Sequence, residues 1–132
     1  MKSFVPPTVI SASDNTPFVA IDHSIKTVSI SGKVFESDKE EDRSKIEVLL
    51  DPLTYHQIEE VTFQIDKADN FGIELLRNIL ELLKQVNTDI TIKWFSHEYD
   101  FQGIEIGKRL AEQTSQPILG LIIVEAGYFT AA

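Results

Sequence analysis

Cysteine is absent from the 132 residues, which excludes a disulfide framework and any thiolate metal site and is compatible with a reducing compartment. Positive charge is scarce: 12 Lys and Arg stand against 21 Asp and Glu, for a net charge of −9. So acidic a surface repels phosphate backbones and anionic bilayers, and no basic stripe offsets it, which argues against nucleic acid and membrane surfaces as partners. No apolar run reaches the roughly 18 residues of a spanning helix. The start, "MKSFVPPTVISASDN", lacks the roughly 7–15-residue apolar stretch of a signal peptide, so the chain reads as cytoplasmic. Glycine is thinly spread, and Gly72, Gly103 and Gly107 form no phosphate-binding fingerprint. A flanked nucleophile elbow is also missing.

What is present is enough apolar surface for one packed core, since 42% of residues are hydrophobic. Residues 1–16, with two prolines among isolated apolar residues, read as a flexible N-terminal arm. A single domain is expected over 17–124, and 125–132 read as a C-terminal tail. Strands are expected at 18–21 and 27–31 as a hairpin, and the charged loop "KVFESDKEEDRSK" leads to a short helix that stops before Asp51-Pro52, because the residue before proline leaves the helical region. Val61, Phe63 and Ile65 alternate with Thr62 and Gln64, as in a half-covered strand. Leu75, Leu76, Ile79, Leu80, Leu83 and Val86 then recur at helical spacing, and Asp69 or Asn70 can cap that helix. "NTDITIKWF" gives another strand with Ile90, Ile92 and Trp94 on one face. "GIEIGKRLAEQT" gives a helix with Ile106, Leu110 and Ala111 inward, and "PILGLIIVEA" a last strand that carries Leu121 and Ile123 into the core. The order β-β-α-β-α-β-α-β predicts an α/β domain with a mixed sheet of about five strands and crossover helices.

Two places hold candidate chemistry. The corner between the strand ending at Ile65 and the long helix presents Asp66, Lys67, Ala68, Asp69 and Asn70, with Glu74 one turn on. The amides of the first helical turn favour negative charge there, but no residue from 66 to 74 carries a hydroxyl, thiol or imidazole. Gly72 either relieves crowding against the sheet or lets a partner approach the backbone. The other place is "SHEYD", with His97, Glu98, Tyr99 and Asp100 at the end of a strand, where open α/β sheets tend to place ligands. A zinc site there needs ligands from elsewhere. His23 and His56 lie in other loops, and no metal or cofactor is expected.

The succession "NTPFVAIDHSIKTVSISGKVF", a strand, a corner, "GIELLRNILELL", "ITIKWFSHEYD" and "RLAEQTSQPI" resembles the SiaC family of bacterial regulatory phosphoproteins over roughly 15–119. Thr16-Pro17, Gly32, Lys93-Trp94-Phe95 and Gln116-Pro117 are its best points. The resemblance implies a STAS (SpoIIAA-like) architecture, related to anti-sigma-factor antagonists. It further implies a protein without catalytic activity that binds a kinase, a phosphatase or a diguanylate cyclase in a partner-switching module. It also places the family's phosphorylated threonine near Lys67, where this chain has no acceptor. The corner is then expected to bind a protein partner without the usual switch, Asp66 and Asp69 imitating a modified state or serving a different partner. The alternatives are a small enzyme or ligand carrier at residues 97–100, and self-association, including a homodimer, through the tail "EAGYFTAA".

Overall fold

The computed structural model describes residues 8–87, 89–97, 100–113 and 121–124. Its strands, β1 (Thr8–Ile10), β2 (Phe18–Asp22), β3 (Thr27–Val34), β4 (Glu60–Ala68), β5 (Thr91–His97) and β6 (Leu121–Val124), form one sheet in that order. β1, β2 and β3 pair antiparallel, and β3 to β6 pair parallel. The parallel steps are made by α1 (Glu40–Leu49) with a short 3-10 turn at Pro52–Tyr55, by α2 (Asn70–Val86) and by α3 (Phe101–Gln113). Because successive strands are also spatial neighbours, right-handed crossovers bring all three helices to the same face. α2 packs on β3 and β4, and α3 on β4, β5 and β6.

The expected mixed α/β sheet is therefore present, with six strands rather than about five. The added strand corrects the reading of residues 1–16 as a flexible arm where it covers Thr8–Ile10. Thr8, Val9 and Ile10 pair with Ile21, Ala20 and Val19, because an already formed edge strand satisfies the amides of a segment too short to show a period of its own. Residues 1–7 and the tail 125–132 lie outside the described residues.

Period-two alternation decides which face each strand residue meets. Val61, Phe63 and Ile65 of β4, with Val28 and Ile30 of β3 and Ile92 and Trp94 of β5, are buried under the helices. The rings of Phe63 and Trp94 stack with centroids 5.6 Å apart. Leu75, Leu76, Ile79, Leu80 and Leu83 of α2 close the core, joined by Ile90, Ile106 and Leu110. The side chains of Leu121, Ile123 and Ala111, also expected inside, lie outside those described. Tyr55 is fully buried and donates its hydroxyl to the Leu49 carbonyl at 2.5 Å, and burial pushes its phenol above the ordinary value. The opposite sheet face carries Ser29, Ser31, Thr62 and Gln64 between Phe18 and Phe95.

Candidate functional site

The corner is tighter than the sequence suggested. β4 does not stop at Ile65: after Gly32 pairs with Ile65, Lys33 pairs with Lys67 and Val34 with Ala68. Asp66 is passed over in this register, as the extra residue of a β-bulge is, and Gly32 opposite has φ +111°, a conformation that suits glycine. Asp66, Lys67 and Ala68, expected in a loop, thus belong to the strand, and Asp69 alone joins it to α2. The correction has a physical cause: parallel pairing to β3 continues past the bulge and satisfies the backbone to Ala68.

Asp69 is the N-cap of α2. One carboxylate oxygen accepts the Gly72 amide at 2.7 Å and the other accepts the Glu36 amide at 3.0 Å, which ties the β3–α1 connection to the corner. The Asp69 amide donates to the Val34 carbonyl at 3.3 Å. A methyl group at Gly72 would lie 1.9 Å from the Val34 carbonyl oxygen. Of the two readings of this glycine, the geometry supports close packing of the helix on the sheet. Around the cap, Asp66, Lys67, Asn70 and Glu74 are exposed while Ala68 and Asp69 are half-buried, and Glu74 pairs with Arg77 one turn on. Phe71, the second residue of α2, is 37% exposed. It borders a cleft of about 510 Å³ that also takes Ser37, Asp38, Arg43, Ile46 and Glu47.

The sequence reading missed that the next corner repeats the device. Asp100 precedes α3 and accepts the Gly103 amide at 3.0 Å, and a methyl at Gly103 would lie 2.9 Å from the Ile65 carbonyl oxygen of β4. "DNFG" and "DFQG" share the signal Asp-x-x-Gly that could have revealed it. The Trp94 indole donates to the Gly103 carbonyl at 3.1 Å. Asp100 is therefore engaged as a helix cap. His97 ends β5, and Glu98 and Tyr99 lie outside the described residues. Among the described residues no group of three or more His, Cys, Asp or Glu side chains is placed to hold a metal ion.

A second polar centre was also missed. Asp42 of α1 is 2% exposed, and its carboxylate accepts the Ser37 hydroxyl at 2.5 Å and the Ser13 hydroxyl at 2.9 Å. The Ser37 hydroxyl foremost, then those of Ser13 and the Asn15 side chain, hold the Asp42 carboxyl below its ordinary value against the opposing effect of burial. A charge run such as "KEED" gives no sign that one of its members turns inward.

With this geometry in view, the relatives fall into place. The family model for the SiaC family regulatory phosphoprotein matches residues 10–122. Apo-SiaC from Pseudomonas aeruginosa has the same fold, with a TM-score of 0.66 at 15% identity over 92% of this chain and 100% of that one. A second structure of SiaC from Pseudomonas aeruginosa matches equally, with a TM-score of 0.66 at 16% identity over the same shares. A third match is the crystal structure of the diguanylate cyclase SiaD in complex with its activator SiaC from Pseudomonas aeruginosa. It gives a TM-score of 0.60 at 14% identity over 86% of this chain and 97% of that one. No curated protein matches the chain. The chain belongs to the SiaC family of regulatory phosphoproteins.

Proposed function

We propose that this SiaC family protein is a non-catalytic cytoplasmic regulator that docks on a protein partner, of the diguanylate cyclase class, through the corner at residues 66–70 and the first turns of α2. The observation that carries the reading is the arrangement of Asp66, Lys67, Asn70 and Glu74. All four are exposed around a capped helix N-terminus, which holds them on rigid backbone in a chain of a regulatory family. A solved relative, SiaC, is the activator of the cyclase SiaD, which supports the choice of partner class. Exposed charges of this kind act on encounter rate and partner choice more than on fold stability. The STAS-like, partner-switching logic of the resemblance fits a surface whose charge decides binding. The corner itself offers no hydroxyl from 66 to 74, so phosphoryl control of this chain acts at another position or not at all.

The test is a calorimetric titration of the full chain against a diguanylate cyclase from its native cells, with cyclase turnover followed in parallel. Lys67→Glu and Glu74→Lys should each weaken binding and activation while leaving the melting temperature in place. Undiminished binding by both folded variants would move the docking surface away from the corner.

A further inference from the structure

Ser37 is placed where a change of charge would alter the fold next to the corner. Its hydroxyl donates to the buried Asp42 carboxylate at 2.5 Å and accepts the Lys39 amide at 3.2 Å. Through the other Asp42 oxygen the link continues to Ser13, whose hydroxyl accepts the amides of Asn15 and Thr16 at 3.1 and 3.0 Å. The Phe35 amide donates to the Asn15 carbonyl at 2.8 Å. Two hydroxyl protons on one carboxylate, from Ser37 and Ser13, thus join three segments: the β3–α1 connection, the β1–β2 connection and α1. Ser37 is nevertheless half-exposed and lines the cleft beside Phe71 and Arg43. The residue before it donates its amide to Asp69, so what happens at Ser37 is felt at the corner.

We propose that Ser37 is a phosphoacceptor, and that its modification releases the Asp42 link and reshapes the cleft beside the corner. The inference rests on the family assignment as a phosphoprotein and on the proposed docking surface. The Ser37 oxygen forms a bond to the γ-phosphorus of a nucleoside triphosphate, the bridging bond to the β-phosphate breaks to release the diphosphate, and the hydroxyl proton passes to the base of a kinase. The product lacks the proton that Asp42 accepted, and it sets a group of about −1.5 to −2 charge beside a buried carboxylate. Arg43 on the cleft wall offers that phosphate a cation. The first turn of α1 is a second place for it to turn, because Lys39 at the N-cap makes no side-chain cap bond that would compete for the first amides. Turning toward them draws the phosphate away from Asp42 and leaves that carboxylate short of a donor. Other hydroxyls near the strand ends fit less well. Ser96 is 1% exposed, and Thr62 is bonded to Ser29 on the opposite face of the sheet.

The experiment incubates the full chain with an extract of its native cells, γ-labelled ATP and phosphatase inhibitors, alongside the Ser37→Ala, Thr62→Ala and Ser96→Ala variants. The modified peptide is mapped by mass. The parent, Thr62→Ala and Ser96→Ala should take up label and Ser37→Ala should lose nearly all of it. Label that persists in Ser37→Ala, or a parent that takes up none, overturns the proposal. Amide hydrogen exchange on the purified modified chain should rise in residues 11–16 and 40–49, by more than in unlabelled Ser37→Ala, which loses the hydroxyl without gaining charge. Exchange that is unchanged by modification overturns the coupling to Asp42. None of these readouts uses a partner, so their failure leaves the docking surface at the corner to be judged by the cyclase titration alone.

Discussion

Gly72 and Val34 approach so closely that a methyl group at 72 would lie 1.9 Å from the Val34 carbonyl oxygen, at a point where Asp69 already bonds both the Gly72 amide and the Glu36 amide. The start of α2 is held to the end of β3 by this close backbone approach and by the Asp69 carboxylate that bridges the two.

Gly72→Ala should therefore destabilise the protein by about 1–3 kcal/mol, the usual cost of overpacking, although alanine favours a helix interior over glycine by about 1 kcal/mol. Urea unfolding of the variant measures it. A neutral or stabilising result would mean that the helix slides away from β3 at little cost.

Asp69→Ala removes the cap and the tie to Glu36, and should cost on the order of 1–2 kcal/mol. Lys67→Thr, on an exposed strand position, should leave the melting temperature nearly unchanged. A kinase acting on SiaC proteins should leave residues 66–70 of the parent unmodified and modify Lys67→Thr, as intact-mass and peptide-mass spectra would show. Phosphate within 66–70 of the parent cannot be reconciled with a stretch that has no hydroxyl.

The Asp42 carboxyl titrates below its ordinary value of 3.8 in the folded chain, chiefly because Ser37 donates to it. Since its folded value lies under the unfolded one, its contribution is fully present above about pH 4 and is lost as the pH falls through the folded value. Melting temperatures from pH 6 down to pH 3 should fall more steeply for the parent than for Asp42→Asn. The difference between the two curves isolates Asp42 from Asp22, which hydrogen bonds from Ser24 also hold low. Parallel curves would show that the Asp42 proton is not linked to folding.

Phe63 and Leu80 are 0% and 1% exposed, and truncating either to alanine should cost about 2–5 kcal/mol, with Phe63 toward the upper end because its ring stacks on Trp94. Chemical denaturation with an unchanged slope would give these values directly. A cost below about 1 kcal/mol at either position would contradict the packing described for the core.

Local pattern made the architecture legible. Alternation in Val61, Phe63 and Ile65 and the three-and-four spacing of Leu75 to Leu83 each set a period that only one element type can satisfy with one face buried. The intervening helices then required parallel pairing, and "DKADN" before an apolar stripe announced a capped helix start. Three features depended on contacts distant in sequence. β1 exists because β2, beyond an intervening connection, turns back to offer it an edge. The bulge at Asp66 follows from the register between β3 and β4, which no property of "QIDKAD" encodes. Asp42 is a buried carboxylate only because Ser13 and Ser37 are brought to it from other segments, and among the acids of "KEED" nothing local distinguishes it. Side-chain period and capping are properties of neighbours along the chain, whereas strand addition, register and the satisfaction of a buried charge depend on groups that only the folded chain brings together.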